Sequence, residues 1–142
     1  MKTLNNFLVK DKDVLLRVDL NIPISKDGKV TNDKKLMDIK STVDKLRTNN
    51  NKIFLLSHFG RPKGQVNKKY SIEFLKETLL NILSVNTIYF ASTCKSDQIN
   101  KQKKQMKPGD ICLLENIRFY QGEEINDINF ARNLANNFNI YV

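Results

Sequence analysis

The sequence predicts an α/β fold: a three-layer, doubly wound, mostly parallel sheet of Rossmann-like type. Three observations lead there. Short apolar runs of strand length alternate with longer segments whose apolar residues recur at helical spacing, in the order β, α, β, α, β, α, β, α, β. The run Ile111-Cys112-Leu113-Leu114 has no polar position, which suits a strand covered on both faces. No internal repeat, low-complexity tract or linker interrupts the pattern, so residues 1–142 read as a single domain.

Val14-Leu15-Leu16-Arg17-Val18 is the first expected strand, with Asp19-Leu20-Asn21-Ile22-Pro23 at its exit. Asp27-Gly28, within residues 25–30, marks a turn or short hairpin. Thr31, Asn32 and Asp33 are all suitable N-caps. Leu36, Ile39, Val43 and Leu46 then line one face of a single amphipathic helix over residues 34–48, ended by Asn49-Asn50-Asn51. Ile53-Phe54-Leu55-Leu56 is a short buried strand. Ser71 is placed to cap a helix whose buried face is Ile72, Leu75, Leu79 and Ile82 or Leu83. Thr87-Ile88-Tyr89-Phe90 is a further strand, and residues 96–106 form a weaker helix with Ile99 and Met106 as its apolar positions. Pro108-Gly109-Asp110 turns the chain into the strand 111–114. Gln121-Gly122-Glu123-Glu124 reads as a polar turn. Asn126 or Asp127 caps a last helix with the face Phe130, Leu134 and Phe138. Asn139-Ile140-Tyr141-Val142 opens another strand.

Composition narrows the class. Of 142 residues, 40% are hydrophobic and 27% charged, as in soluble globular domains. No apolar run approaches the ~20 residues that span a bilayer, and Met1-Lys2-Thr3-Leu4-Asn5-Asn6 lacks the apolar stretch of a secretory signal. Cys94 and Cys112 form no CxxC pair, and Cys112 sits in an apolar run, so a reducing cytoplasm is expected. The net charge of +9 is compatible with nucleic acid, an acidic surface or a small anionic substrate. Lysine dominates that total, and the five arginines say more: Arg17, Arg61 and Arg118 fall in or just after expected strands. Lys101, Lys103, Lys104 and Lys107 cluster on the weak helix without interleaved aromatic stacking partners, so they read as a solvated face. Neither nucleic acid nor a membrane is expected as a partner.

The strand 53–56 runs directly into Ser57-His58-Phe59-Gly60-Arg61-Pro62-Lys63-Gly64, which holds the chain's one histidine. Its glycines allow a sharp turn and close approach to a ligand, and its arginine offers a planar fork of donors. In an open parallel sheet, ligands collect at the carboxyl ends of strands. Three exits there carry polar groups: Asp19 and Asn21; His58 and Arg61; Arg118. Together they suit an anionic, hydroxylated small molecule, the arginines taking phosphate or carboxylate and the Asp and Asn a hydroxyl. Each residue alone also has an ordinary explanation. Asp19 or Asn21 can bond loop amides, Arg118 can pair with Glu115 or Glu123, and His58 can pack.

Residues 17–23, Arg-Val-Asp-Leu-Asn-Ile-Pro, resemble the first-strand signature of the phosphoglycerate kinase family. The stretch Ser57 to Gly64 resembles that family's second signature. Lys107-Pro108-Gly109-Asp110, continuing through Leu113-Leu114-Glu115-Asn116-Ile117-Arg118-Phe119-Tyr120 to Gly122-Glu123-Glu124, resembles its third. The resemblance covers nearly the whole chain. It implies an enzyme of glycolysis that moves a phosphoryl group between 1,3-bisphosphoglycerate and ADP, giving 3-phosphoglycerate and ATP, with magnesium. It also implies two domains, of which this chain resembles only the N-terminal, phosphoglycerate-binding one. The expected substrate-binding residues are Asp19, Leu20, Asn21, Lys35, His58, Phe59, Gly60, Arg61 and Arg118. Lys35 stands where the family has an arginine that neutralises the transferring phosphoryl group, which keeps the charge but loses the bidentate fork. ADP or ATP and magnesium belong, by the resemblance, to the nucleotide-binding C-terminal domain, which is absent here. No cofactor or metal is expected in this chain. The chain closes on a fresh apolar strand and so reads as truncated. Alone it is expected to be inactive, with 3-phosphoglycerate or 1,3-bisphosphoglycerate as its ligand. The alternative is a non-catalytic or split-gene module that docks with a separate C-terminal half.

Overall fold

Strands covered on both faces need apolar side chains at consecutive positions, and this chain supplies them. The computed structural model describes residues 2–142. The strands β1 (Asp13–Arg17), β2 (Lys52–Leu56), β3 (Ile88–Ala91), β4 (Ile111–Leu114) and β5 (Ile140–Tyr141) form one sheet in the order β3-β4-β2-β1-β5. Every neighbouring pair is parallel. The crossovers are helical: α1 (Lys34–Asp38) and α2 (Lys40–Thr48), α3 (Leu75–Leu83), α4 (Ser96–Gln105), then α5 (Gln121–Glu124) and α6 (Ile128–Ala135).

Successive strand residues point to opposite faces, and the core divides accordingly. Val14, Leu16, Ile53, Leu55, Ile111 and Leu113 pack against Leu36, Val43, Leu46, Leu75, Leu79 and Leu83 of α1, α2 and α3. Leu15, Phe54, Leu56, Cys112 and Leu114 pack on the other face with Ile99 of α4 and Leu134 of α6. The result is the three-layer, doubly wound sheet that the alternation predicts. Phe54 is fully buried between the layers. Burying a side chain of that size stabilises the fold by about 1.5–3 kcal/mol.

Several local expectations change. Residues 34–48 are not one helix but two, α1 and α2, which meet at Ile39. Ile39 keeps helical dihedrals, and Asp38-Ile39-Lys40 contains neither glycine nor proline, so the interruption has no marker in the sequence. Ser71 does not cap α3, which begins at Leu75. Its hydroxyl donates to the buried Glu115 carboxylate at 2.6 Å and accepts from the Glu73 amide at 3.3 Å, upstream of the helix. Residues 121–124 form the short helix α5 rather than a turn. Asp127 caps α6, accepting from the Asn129 and Phe130 amides, but α6 ends before Phe138, whose ring packs 5.1 Å from that of Phe54. Lys103 is not part of a wholly solvated face: it pairs with Asp13 at 2.9 Å and lies over the Phe54 and Phe138 rings.

The register decides where the loops emerge. Arg17 pairs with Leu56, and Leu55 with Leu113, so β1, β2 and β4 finish level with one another. Residues 18–21, 57–61 and 115–118 therefore leave from a common edge.

Candidate functional site

The three exits are stitched together by buried polar side chains that replace missing backbone partners. Ser57 is fully buried, and its hydroxyl accepts from the Leu20 amide at 2.9 Å, tying the second exit to the first. Asn21 Oδ1 accepts from the Gly60 amide at 3.1 Å, a second tie between the same loops. Asn116, also fully buried, joins the second exit to the third: its Oδ1 accepts from Phe59 N at 3.2 Å and its Nδ2 donates to Phe59 O at 2.7 Å and Tyr70 O at 2.8 Å. The Ile117 amide donates to Ser57 O, and Gly64 N donates to Arg118 O. Glu115 completes the frame by accepting from Ile72 N, Ser71 Oγ and the Asn116 amide.

Gly60 has φ +61°, and a Cβ there would lie 2.4 Å from the Tyr70 ring. Only glycine meets both conditions. The turn it makes aims the segment 61–64 back toward Arg118.

Cations surround this frame. Lys35 Nζ donates to Asp19 Oδ2 at 2.6 Å and to Asn21 O at 3.3 Å, so α1 reaches the first exit. Arg17 Nη2 and Arg118 Nε converge on the two oxygens of Glu123, at 2.9 and 3.2 Å. Arg61 is exposed and makes no ion pair or side-chain hydrogen bond among the described residues. His58 is half-buried within the field of Arg118, Glu123, Asp19 and Arg17. Burial, and next the Arg118 charge, push its imidazole below the usual histidine range, so it is neutral at neutral pH. The hydrogen bond from Lys35 holds the Asp19 carboxyl below the usual carboxylate range, against a smaller opposing effect of burial. Burial alone would raise Glu123; the hydrogen bonds from Arg17 and Arg118 overcome it and hold that carboxyl low. Both carboxylates are therefore acceptors only at neutral pH.

Of the expected site residues, Asp19, Asn21, Lys35, His58, Gly60, Arg61 and Arg118 all lie on the loops and helix at this edge. Leu20 and Phe59 share the segments but turn their side chains into the core, where Phe59 packs against the Phe74 ring at 5.4 Å. Sequence reading missed Ser57 and Asn116 as cross-links, since a buried serine or asparagine after a strand looks like any loop residue. It noted Arg17 and Glu123 without joining them. The alternation that puts Arg17 at the last position of β1 was the available signal. A cavity of about 480 Å³ lies nearby, but apart from Arg17 its lining has no cation. Among the described residues no cluster of His, Cys, Asp and Glu is arranged to hold a metal ion. Asp19 and Glu123 are each committed to a cation, so the donor set fits an anion and not magnesium.

Comparison with known proteins gives the family. A family model described as phosphoglycerate kinase matches residues 4–142. The chain belongs to the phosphoglycerate kinase family. The phosphoglycerate kinase of Elusimicrobium minutum is 43% identical over 142 residues, covering 100% of this chain and 35% of the relative. That of Prochlorococcus marinus (strain MIT 9515) is 37% identical over the same span, again 35% of its length. The solved phosphoglycerate kinase of Pyrococcus horikoshii superposes with a TM-score of 0.83 at 26% identity, over 99% of this chain and 36% of that one. The Coxiella burnetii phosphoglycerate kinase gives 0.81 at 29% identity, over 97% and 33%. This chain thus spans about a third of the length of the phosphoglycerate kinases it matches. Residues 17–23, 57–64 and 107–124, which carry the resemblance to phosphoglycerate kinase in sequence, are the segments that interlock at the sheet edge.

Proposed function

We propose that this chain is the N-terminal, phosphoglycerate-binding part of a phosphoglycerate kinase. The observation that supports this reading is the cross-linked edge, where two strand exits and α1 present the Arg61, Arg118, His58 and Lys35 side chains around a frame held by backbone groups and by the Ser57, Asn116, Glu115 and Asn21 side chains. In this reading Arg61 and Arg118 take the anionic ends of 3-phosphoglycerate or 1,3-bisphosphoglycerate as planar forks. Asp19, kept ionised, accepts from the substrate hydroxyl. Lys35 faces the charge that builds on the phosphoryl group as it leaves the acyl oxygen; stabilising that charge is most of what a protein does in phosphoryl transfer. The family's nucleotide and magnesium have no fitting site in this cluster, so transfer to ADP belongs to the length of relatives that this chain does not span. Free, buried Cys94 and Cys112 suit a reducing compartment, and the cytoplasm is the location this reading assigns.

The test is calorimetric titration of the chain with 3-phosphoglycerate, beside Arg61→Ala. Saturable binding that weakens about tenfold or more in the variant supports the reading, since a charge-assisted contact is worth about 1.5–3 kcal/mol. Equal binding by both proteins rejects it. A coupled assay for ATP made from 1,3-bisphosphoglycerate should read zero for the chain alone. Activity restored by adding a separately expressed C-terminal half of a relative would support docking of two halves.

A further inference from the structure

We infer that Glu123 is a positioning residue for the anion site: it clamps Arg17 and Arg118 so that Arg118 meets a ligand with its terminal nitrogens free and already aimed. The inference takes its ligand from the proposed phosphoglycerate reading, but its geometry stands independently. Glu123 uses one oxygen per arginine. Oε1 accepts from Arg17 Nη2 at 2.9 Å and Oε2 from Arg118 Nε at 3.2 Å. Both terminal nitrogens of Arg118 are left without a protein partner among the described residues.

A clamp must itself be held. The Glu123 side chain is only 13% exposed, against 41% for Arg17 and 27% for Arg118. Its amide donates to Tyr120 O, and Asp127 N donates to the neighbouring Gly122 O. A Cβ on Gly122 would lie 2.8 Å from Phe130, so α5 is pressed tightly onto α6. Tyr120, the residue just before α5, stacks on the same Phe130 ring at 5.3 Å. The short helix that carries the carboxylate is thus anchored on α6, while each arginine hangs on a long flexible stem. A guanidinium ordered beforehand loses less freedom when a ligand arrives.

A negative charge beside an anion site also repels the anion, and the two effects have opposite signs on substitution. Glu123→Gln removes the charge. Glu123→Asp keeps the charge but is one methylene too short to span both arginines. The experiment measures 3-phosphoglycerate binding by calorimetry on the wild-type chain and both variants. In parallel, NMR follows solvent exchange of the Arg118 Nε–H without ligand. The expected result is a slowly exchanging Nε–H in wild type that is lost in both variants, and Kd raised about tenfold in both, despite the lost negative charge in Glu123→Gln. Equal or tighter binding by Glu123→Gln overturns the inference, as does unchanged exchange in the variants. Should the wild type not bind 3-phosphoglycerate, the functional reading fails, and the exchange measurement with inorganic sulfate as the binding probe decides the clamp by itself. Thermal melts of the three proteins separate loss of the clamp from loss of the fold.

Discussion

Replacing Asn116 by alanine should separate the three exits, and the structure fixes how much that costs. The side chain makes four hydrogen bonds: from the Phe59 and Arg118 amides to Oδ1, and from Nδ2 to the Phe59 and Tyr70 carbonyls. Phe59 and Asn116 are buried, so water cannot take over the Phe59 amide and carbonyl; Tyr70 and Arg118 are half-buried and recover part of their loss. An unsatisfied buried group costs about 1–3 kcal/mol. Two full losses and two of about half that size give about 3–9 kcal/mol, before any gain from collapse around the smaller side chain. Whole domains are stable by only about 5–15 kcal/mol, so the variant should unfold at much lower urea, with a similar slope. Asn116→Asp keeps the acceptors but buries a charge and turns an oxygen toward the Phe59 and Tyr70 carbonyls, so at neutral pH it should destabilise at least as much as alanine. A destabilisation below about 1 kcal/mol for the alanine variant would refute the claim that Asn116 joins these loops.

Three further outcomes follow from the same geometry. His58 is neutral in the free protein at neutral pH, and an anionic ligand favours its protonated form. Binding of 3-phosphoglycerate should therefore tighten as pH falls below about 6.5, and Asn at position 58 should remove the part of the profile due to the protein. For the fold alone the sign is opposite: a depressed histidine contributes stability above about pH 6.5 that is lost as pH falls through its folded value, which urea titration at several pH values can read. Gly60→Ala forces a side chain into positive φ and against Tyr70, and should lower stability by about 1–3 kcal/mol in thermal melts while leaving far-UV circular dichroism unchanged.

The sheet was legible because its signal is period and length. Ile111 to Leu114 has no polar position and is a strand with those limits, and the alternation of strands and helices predicts the parallel order without knowledge of the register. The cation edge was legible for a related reason, since parallel strands of similar length must end together. The frame beneath it was not. Ser57, Glu115 and Asn116 act on backbone groups 37 to 57 residues away, and no local pattern announces such a partner. The interruption at Ile39 was hidden because both halves of residues 34–48 present apolar residues to the same layer.

Apart from Asn21, the groups that hold the loops and the groups that face outward are different side chains. Ser57, Asn116 and Glu115 spend their polar atoms on peptide units and on the Ser71 hydroxyl, while Arg61 spends none on the protein. A scaffold divided in this way lets evolution rewrite its outward chemistry one letter at a time, while the architecture underneath stays as it is.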